Sequence, residues 1–269
     1  PAPGDLRSCL IALAPEEERL SELFAYRFKR GGELKGHSMG NLLLAALTDL
    51  QGGFAEAIRE CSDVLDIQGR VLPSMLGTPQ LEATMGNGGT VRGETSITEE
   101  KGKPETLTVS SNPSRPNPEA ISAIMDADLI LAGPGSLYTS ILANFLEPEL
   151  CQAVREADAP VVYICNLMTQ QGETDGYSVS DHLEAFRGIP PKPIEFDHVL
   201  VNTRQAPRSV REEYEKEGAN QVDFDFNRVS DYPAVIHTRD YLKIGDKLRH
   251  NLDHVKETLS EILKLHRTR

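Results

Sequence analysis

Apolar positions follow two rhythms along this chain, a helical one in its first half and an alternation of strands with helices in its second. Leu20, Leu23, Phe24 and Phe28 recur at helical spacing after Pro15 and Glu16–Glu18, and Gly31-Gly32 ends the run. Proline and acids suit a first helical turn, so this stretch predicts a helix. Asn41–Leu50 and Phe54–Leu65 predict two more, separated by Gly52-Gly53. Arg70–Met75 reads as a short strand. Leu81–Met85 and Thr90–Ile97 alternate apolar with polar positions around Asn87-Gly88-Gly89. That pattern predicts a β-hairpin, because Asn and Gly accept the positive φ of a tight turn. Glu99–Pro118, rich in Pro, Ser and Lys, reads as loop with a strand at Thr106–Val109.

From Pro118 the rhythm changes. Pro118–Met125 predicts a helix, and Leu129–Ala132 and Pro160–Cys165 are continuously apolar, as strands of a buried parallel sheet are. A helix is expected from about Thr139, another closing at Val154–Ala157, and another over Ser178–Phe186. A strand at Val199–Val201, a helix at Pro207–Glu217 and a last helix at Asn251–Leu265 complete the series. The pattern predicts an α/β fold: a three-layer, doubly wound, mostly parallel, Rossmann-like sheet with an inserted β-hairpin. No internal repeat or linker interrupts it, so residues 1–269 read as one domain.

Composition narrows the function classes. Hydrophobic residues make up 39% and charged residues 26%, which is ordinary globular usage. The net charge of −13 disfavours a broad nucleic-acid footprint, although it leaves room for a local basic pocket. No apolar run approaches the ~20 residues of a membrane helix. Pro1-Ala2-Pro3-Gly4-Asp5 has neither the basic start nor the apolar core of a signal peptide. Cys9, Cys61, Cys151 and Cys165 are widely spaced and sit among apolar residues, so buried thiols in a reducing compartment are expected. The expectation is a cytoplasmic protein bound to neither membrane nor nucleic acid.

Four motifs carry candidate chemistry. Gly36-His37-Ser38-Met39-Gly40 has the lettering of a hydrolase nucleophile elbow, but that turn needs a buried strand running into it. The lead-in Lys29–Lys35 is charged and glycine-rich, so a turn feeding the helix at Asn41 is the better reading, with Ser38 or Asn41 capping it or offering a donor to a ligand. Gly133-Pro134-Gly135-Ser136 follows a buried strand and precedes a helix, where ligands of open α/β sheets bind. Its N–H groups could meet a phosphate, or Ser136 could simply cap a tight turn. Asn166–Tyr177 leaves the next strand on the same sheet edge and is polar without a charge cluster, an inventory suited to a neutral ring such as a uracil or a sugar. Glu173, Asp175, Asp181 and His182 lack the dense carboxylate set of a magnesium site, and neither metal nor cofactor is expected. Tyr214 on a charged helix reads as a partly exposed packing residue, whereas Arg249 before the last helix reads equally as a surface charge or as a fork onto a diphosphate.

The segments Gly36–Leu44, Ala132–Ile141 and Cys165–His182 together resemble the gluconeogenesis factor family. Gly4-Asp5-Leu6-Arg7, Phe24–Phe28 and Leu248–Asn251 extend the likeness over nearly the whole chain. That family is related in fold to 2-phospho-L-lactate transferase. The resemblance implies binding of UDP-N-acetylglucosamine or a related sugar nucleotide and regulation of cell-wall precursor metabolism and cell shape during gluconeogenic growth. It further implies a protein partner in amino-sugar or cell-wall synthesis, and a homo-oligomer is expected. Carried onto this chain, Tyr214 and Arg249 would hold the UDP-sugar, with Gly135, Ser136, Asn166, Thr169 and Asn41 as further ligand-binding positions and no catalytic residue. The alternative is a transferase of the phospholactate type acting on a deazaflavin and a nucleotide diphosphate. The family's N-terminal strand and glycine-rich loop, which precede the Gly-Asp-Leu-Arg stretch, are not matched in this chain.

Overall fold

The computed structural model describes residues 3–15, 19–86, 88–100, 102–110 and 114–268; Pro1, Ala2, Glu16–Glu18 and the turn residue Asn87, all used above, lie outside them. The chain divides into two compact units, Pro1–Pro79 with Ser110–Ala120, and Gln80–Val109 with Ile121–Arg269.

The first unit is helical. Helices α1 (Pro3–Leu13), α2 (Arg19–Ala25), α3 (Met39–Gln51) and α4 (Phe54–Val64) bury Leu6, Leu10, Phe24, Leu44, Ile58 and Cys61 in one cluster. The spans of α3 and α4 follow the apolar spacing closely, and Gly52 ends α3 in the left-handed conformation. Helix α1 was not expected, since Pro3-Gly4 masks a start whose Leu6 and Leu10 share one face. The strand expected at Arg70–Met75 shrinks to β1 (Met75–Leu76), paired antiparallel with β5 (Arg115–Pro116).

The second unit opens with a small antiparallel sheet of β2 (Leu81–Met85), β3 (Thr90–Arg92) and β4 (Pro104–Val109), in the order β3-β2-β4. The expected hairpin is present, but its second arm stops at Arg92. Gly93 turns to φ +89° and α5 (Glu94–Glu100) occupies residues predicted as strand. Helix α6 (Pro118–Met125) then leads to the main sheet. There β6 (Ile130–Ala132), β7 (Val161–Ile164), β8 (His198–Asn202) and β9 (Val235–Arg239) run parallel in that order.

Successive strand side chains point to opposite faces. Val161, Tyr163, Val199 and Val201 therefore join one core, with residues of α7 (Pro148–Glu156) and α8 (Val179–Gly188). Val162, Ile164 and Leu200 join another, with Val255 and Ile262 of α11 (Leu252–Arg267). Helices on both faces of a parallel sheet make the three-layer α/β arrangement the apolar pattern predicts. Strand β9 was missed: Val235-Ile236-His237-Thr238-Arg239 sits at the sheet edge and is nowhere fully buried. The remaining elements are α9 (Arg208–Lys216), the short α10 (Phe226–Val229), and the antiparallel pair β10 (Leu242–Lys243) and β11 (Arg249–His250). Among the described residues no helix is long and apolar enough to cross a membrane. Three of the four cysteines are buried as expected, whereas Cys9 is exposed.

An aromatic group fastens α8 to the sheet. The Phe186 ring meets Phe196 at 4.8 Å, Tyr163 at 5.0 Å and Phe145 at 5.7 Å, each edge to face. Such pairs add about 0.5–1.5 kcal/mol each to the burial itself. Phe186→Ala is expected to lower the unfolding free energy by about 3–5 kcal/mol in urea titrations. A loss below about 1 kcal/mol would show that this packing carries little of the stability.

Candidate functional site

The candidate site lies where β6 and β7 end. Their register places Ala132 beside Tyr163, so the loops leaving both strands start side by side. Gly133 takes φ +77°, and a Cβ there would come within 2.9 Å of the Ile164 carbonyl, so only glycine allows the chain to turn this close to β7. The Gly133–Pro134 peptide is cis. Beyond the turn, the Asn166 amide grips Gly135 twice. Its Nδ2 donates to the Gly135 carbonyl at 2.8 Å, and its Oδ1 accepts from the Gly135 N–H at 3.4 Å. Ser136 Oγ donates to Gln170 Oε1 at 2.7 Å. The two loops are thus joined side by side through amides and a hydroxyl, at the place where a ligand crevice of an open α/β sheet is expected.

The helix expected after Ser136 is a π turn, Leu137–Ile141, running into a 3₁₀ turn, Leu142–Phe145. Its first N–H groups are already occupied. Thr139 donates to Glu173 Oε1 through both N and Oγ1, each at 3.2 Å. Burial pushes the Glu173 carboxyl up, while N–H groups of Thr139, Tyr138 and Leu137 pull it down. Its Oε2 is buried without a hydrogen-bond partner. The negative charge that a helix start attracts is therefore supplied by the protein, which turns the phosphate reading of this glycine loop towards a neutral ligand group.

The structure separates the remaining sequence-predicted positions. Thr169 is buried and exchanges two hydrogen bonds with Asn220, N–H to carbonyl at 2.7 Å and N–H to hydroxyl at 2.8 Å, so it holds a loop rather than facing the crevice. The Tyr214 hydroxyl accepts from the Leu248 N–H at 3.0 Å, which ties α9 to the start of β11. His250 reaches the Cys165 carbonyl through Nε2 at 3.1 Å, and burial lowers its pKa. Arg249 therefore sits one residue from a side chain that touches the end of β7. It is exposed and stands directly opposite Lys243 across the β10–β11 pair. Like charges so placed repel. Nearby Arg204 and Arg239 are paired with Asp240 and Glu257, but among the described residues neither Lys243 nor Arg249 has an acidic partner.

Gln170, Glu173, Lys243 and His250 escaped the sequence reading as site residues. Gln170 and Glu173 lay within a segment already singled out, and Lys243 had no motif to mark it. Asn41 belongs to the helical unit; its N–H bonds Ser38 Oγ at 3.1 Å. Ser38 is itself buried as the N-cap of α3, and Arg27 pairs with it in an isolated antiparallel bridge. The Gly-His-Ser-Met-Gly turn is thus a capped helix start and no nucleophile elbow. Burial pushes the Cys165 thiol up to about 12, which leaves it inert.

Residues 1–242 match the family described as 2-phospho-L-lactate transferase CofD. The chain is 42% identical to a gluconeogenesis factor of Halalkalibacterium halodurans over 263 residues, 97% of this chain and 81% of the relative. It is 40% identical to the gluconeogenesis factor of Bacillus subtilis over 265 residues, 98% and 83% of the two chains. A crystal structure of a Bacillus halodurans protein superposes with a TM-score of 0.88 at 40% identity, covering 96% of this chain and 83% of the other.

The buried carboxyl makes the site's own pH signature. Glu173 has a folded pKa above its ordinary 4.5, so its stabilising contribution is complete below that value and is lost as pH rises through the raised one. Glu173→Gln removes the titration and keeps the acceptor. In urea unfolding followed from acid to neutral pH, the variant should gain stability relative to the parent as pH rises. A difference that stays constant with pH contradicts this.

Proposed function

Because the chain belongs to the CofD family, and within it to the gluconeogenesis factors, we propose that it binds UDP-N-acetylglucosamine in the crevice beyond β6 and β7. In this reading it is a cytoplasmic regulator that adjusts cell-wall precursor metabolism through a protein partner during gluconeogenic growth. The observation that carries the proposal is the joining of the Gly135–Ser136 and Asn166–Gln170 loops by direct hydrogen bonds at the carboxyl ends of adjacent parallel strands.

The chemistry of the wall favours the neutral parts of such a ligand. Amide and hydroxyl groups read the edges of a uracil or a sugar. The charged part needs cations, and the unpartnered Lys243–Arg249 pair beside the end of β7 supplies them. Phosphoryl transfer would ask for a metal or a cationic clamp on the transferring group itself.

Calorimetric titration with UDP-N-acetylglucosamine should show saturable binding, and the sugar nucleotide should be recovered unchanged. Arg249→Ala should weaken it by about 1.5–3 kcal/mol, roughly ten- to a hundredfold in Kd. An unchanged Kd would remove Arg249 from the ligand, and consumption of a nucleotide diphosphate with a deazaflavin acceptor would assign the chain to the transferases instead.

A further inference from the structure

The cations Lys243 and Arg249 stand on a ribbon of two short strands, β10 and β11, and such a ribbon is marginal by itself. Across it Leu242 faces His250 and Lys243 faces Arg249. Strand side chains alternate between two faces, so the ribbon has an inner row and an outer row. The outer row is Lys243 with Arg249, both exposed. The inner row is the buried Leu242 with the half-buried His250.

Each member of the inner row reaches the chain where it leaves β7. Leu242 packs in a small cluster with Leu167 and Ala206, against which Met168 and Leu248 also lie. His250 Nε2 lies 3.1 Å from the Cys165 carbonyl. A carbonyl only accepts, so Nε2 carries the proton and donates. Burial lowers the pKa of the ring, which keeps it neutral at pH 7. Residues 165 and 167 flank Asn166, whose amide holds Gly135. The outer cations are therefore anchored to the same three residues that join the two loops.

The two anchors differ in kind. Apolar contact at Leu242 is non-directional and tolerates sliding, whereas the imidazole bond weakens steeply when misaligned. The remaining ties act elsewhere: the Asn251 N–H, donating to the Tyr241 carbonyl at 2.7 Å, extends the ribbon's own ladder. The Leu248 N–H, donating to the Tyr214 hydroxyl, holds one flank. The direction of the ribbon against the end of β7 is left to His250.

We propose that His250 is a positioning residue: its bond to the Cys165 carbonyl sets the β10–β11 pair against the end of β7, and so sets where Arg249 meets the charged part of a ligand. The role towards a ligand rests on the sugar-nucleotide reading of the crevice, whereas the tether itself does not.

Two measurements on the full chain test it. In the ligand-free protein, amide hydrogen exchange over residues 240–251 should quicken by about tenfold or more in His250→Ala. It should stay near the parent's in His250→Gln, whose terminal amide offers an N–H in place of the imidazole's. In calorimetric titration with UDP-N-acetylglucosamine, His250→Ala should raise Kd about tenfold and His250→Gln should recover most of that loss. In an Arg249→Ala background the same His250→Ala change should add less than about twofold, because the residue acts through that guanidinium. Losses that simply add, an unchanged Kd in His250→Ala, or an equal loss in His250→Gln overturn the proposal, as does exchange that His250→Ala leaves unaltered. Absence of binding by the parent would overturn the sugar-nucleotide reading instead; quickened exchange would then still support the tether and unaltered exchange refute it.

Discussion

The crevice depends on the two hydrogen bonds by which one amide, Asn166, holds the backbone of Gly135. The parallel register of β6 and β7 brings two loop origins together, but register ends with the strands. Past Ala132 and Ile164 the chain would be free to splay. A side-chain amide has the donor and acceptor of a peptide group, so Asn166 extends the ladder by one rung without extending the strand. At about 0.5–1.5 kcal/mol per bond the gain is small against folding as a whole, yet it is sufficient to set the position of a short loop. Gly133 completes the constraint, because a side chain there would collide with the Ile164 carbonyl.

The second consequence is electrostatic. A glycine loop running into a helix start ordinarily offers its N–H groups to a phosphate. Glu173, reaching back from the other loop, takes the N–H of Thr139 and supplies the anion internally. Positive charge without an acidic partner among the described residues lies instead at the β10–β11 pair, where Lys243 and Arg249 stand opposite each other. In the proposed mode of binding, amides and a hydroxyl would meet the neutral part of the ligand and the two cations its charged part.

Much of the architecture was legible in the sequence, and the parts that were not share a physical cause. Continuous apolar runs revealed β6 and β7: β7 is buried along its whole length and has no polar side to show, whereas β6, at the sheet edge, leaves the apolar Leu131 exposed. The i, i+3, i+4 spacing revealed α3, α4 and α6 nearly to the residue. Helix α1 hid behind Pro3-Gly4, and β9 behind an edge position that tolerates His and Thr. The rim of the crevice was readable as two polar segments following apolar strands, but its wiring was not. Glu173 meets Thr139 across 34 residues, Asn166 meets Gly135 across 31, and Thr169 meets Asn220 across 51; no local pattern encodes such pairs. Thr169 accordingly looked like a ligand contact and is a buried fastening.

The most direct test of the account is covalent mapping of the crevice. A photoreactive UDP-N-acetylglucosamine carrying its azide on the uracil ring, irradiated with the full chain and analysed by peptide mass spectrometry, reports which loops lie against the base. The account predicts labelling of the peptides that hold Gly135–Ser136 and Asn166–Gln170, abolished by an excess of unmodified ligand. Competed labelling confined to peptides outside those two loops would contradict it.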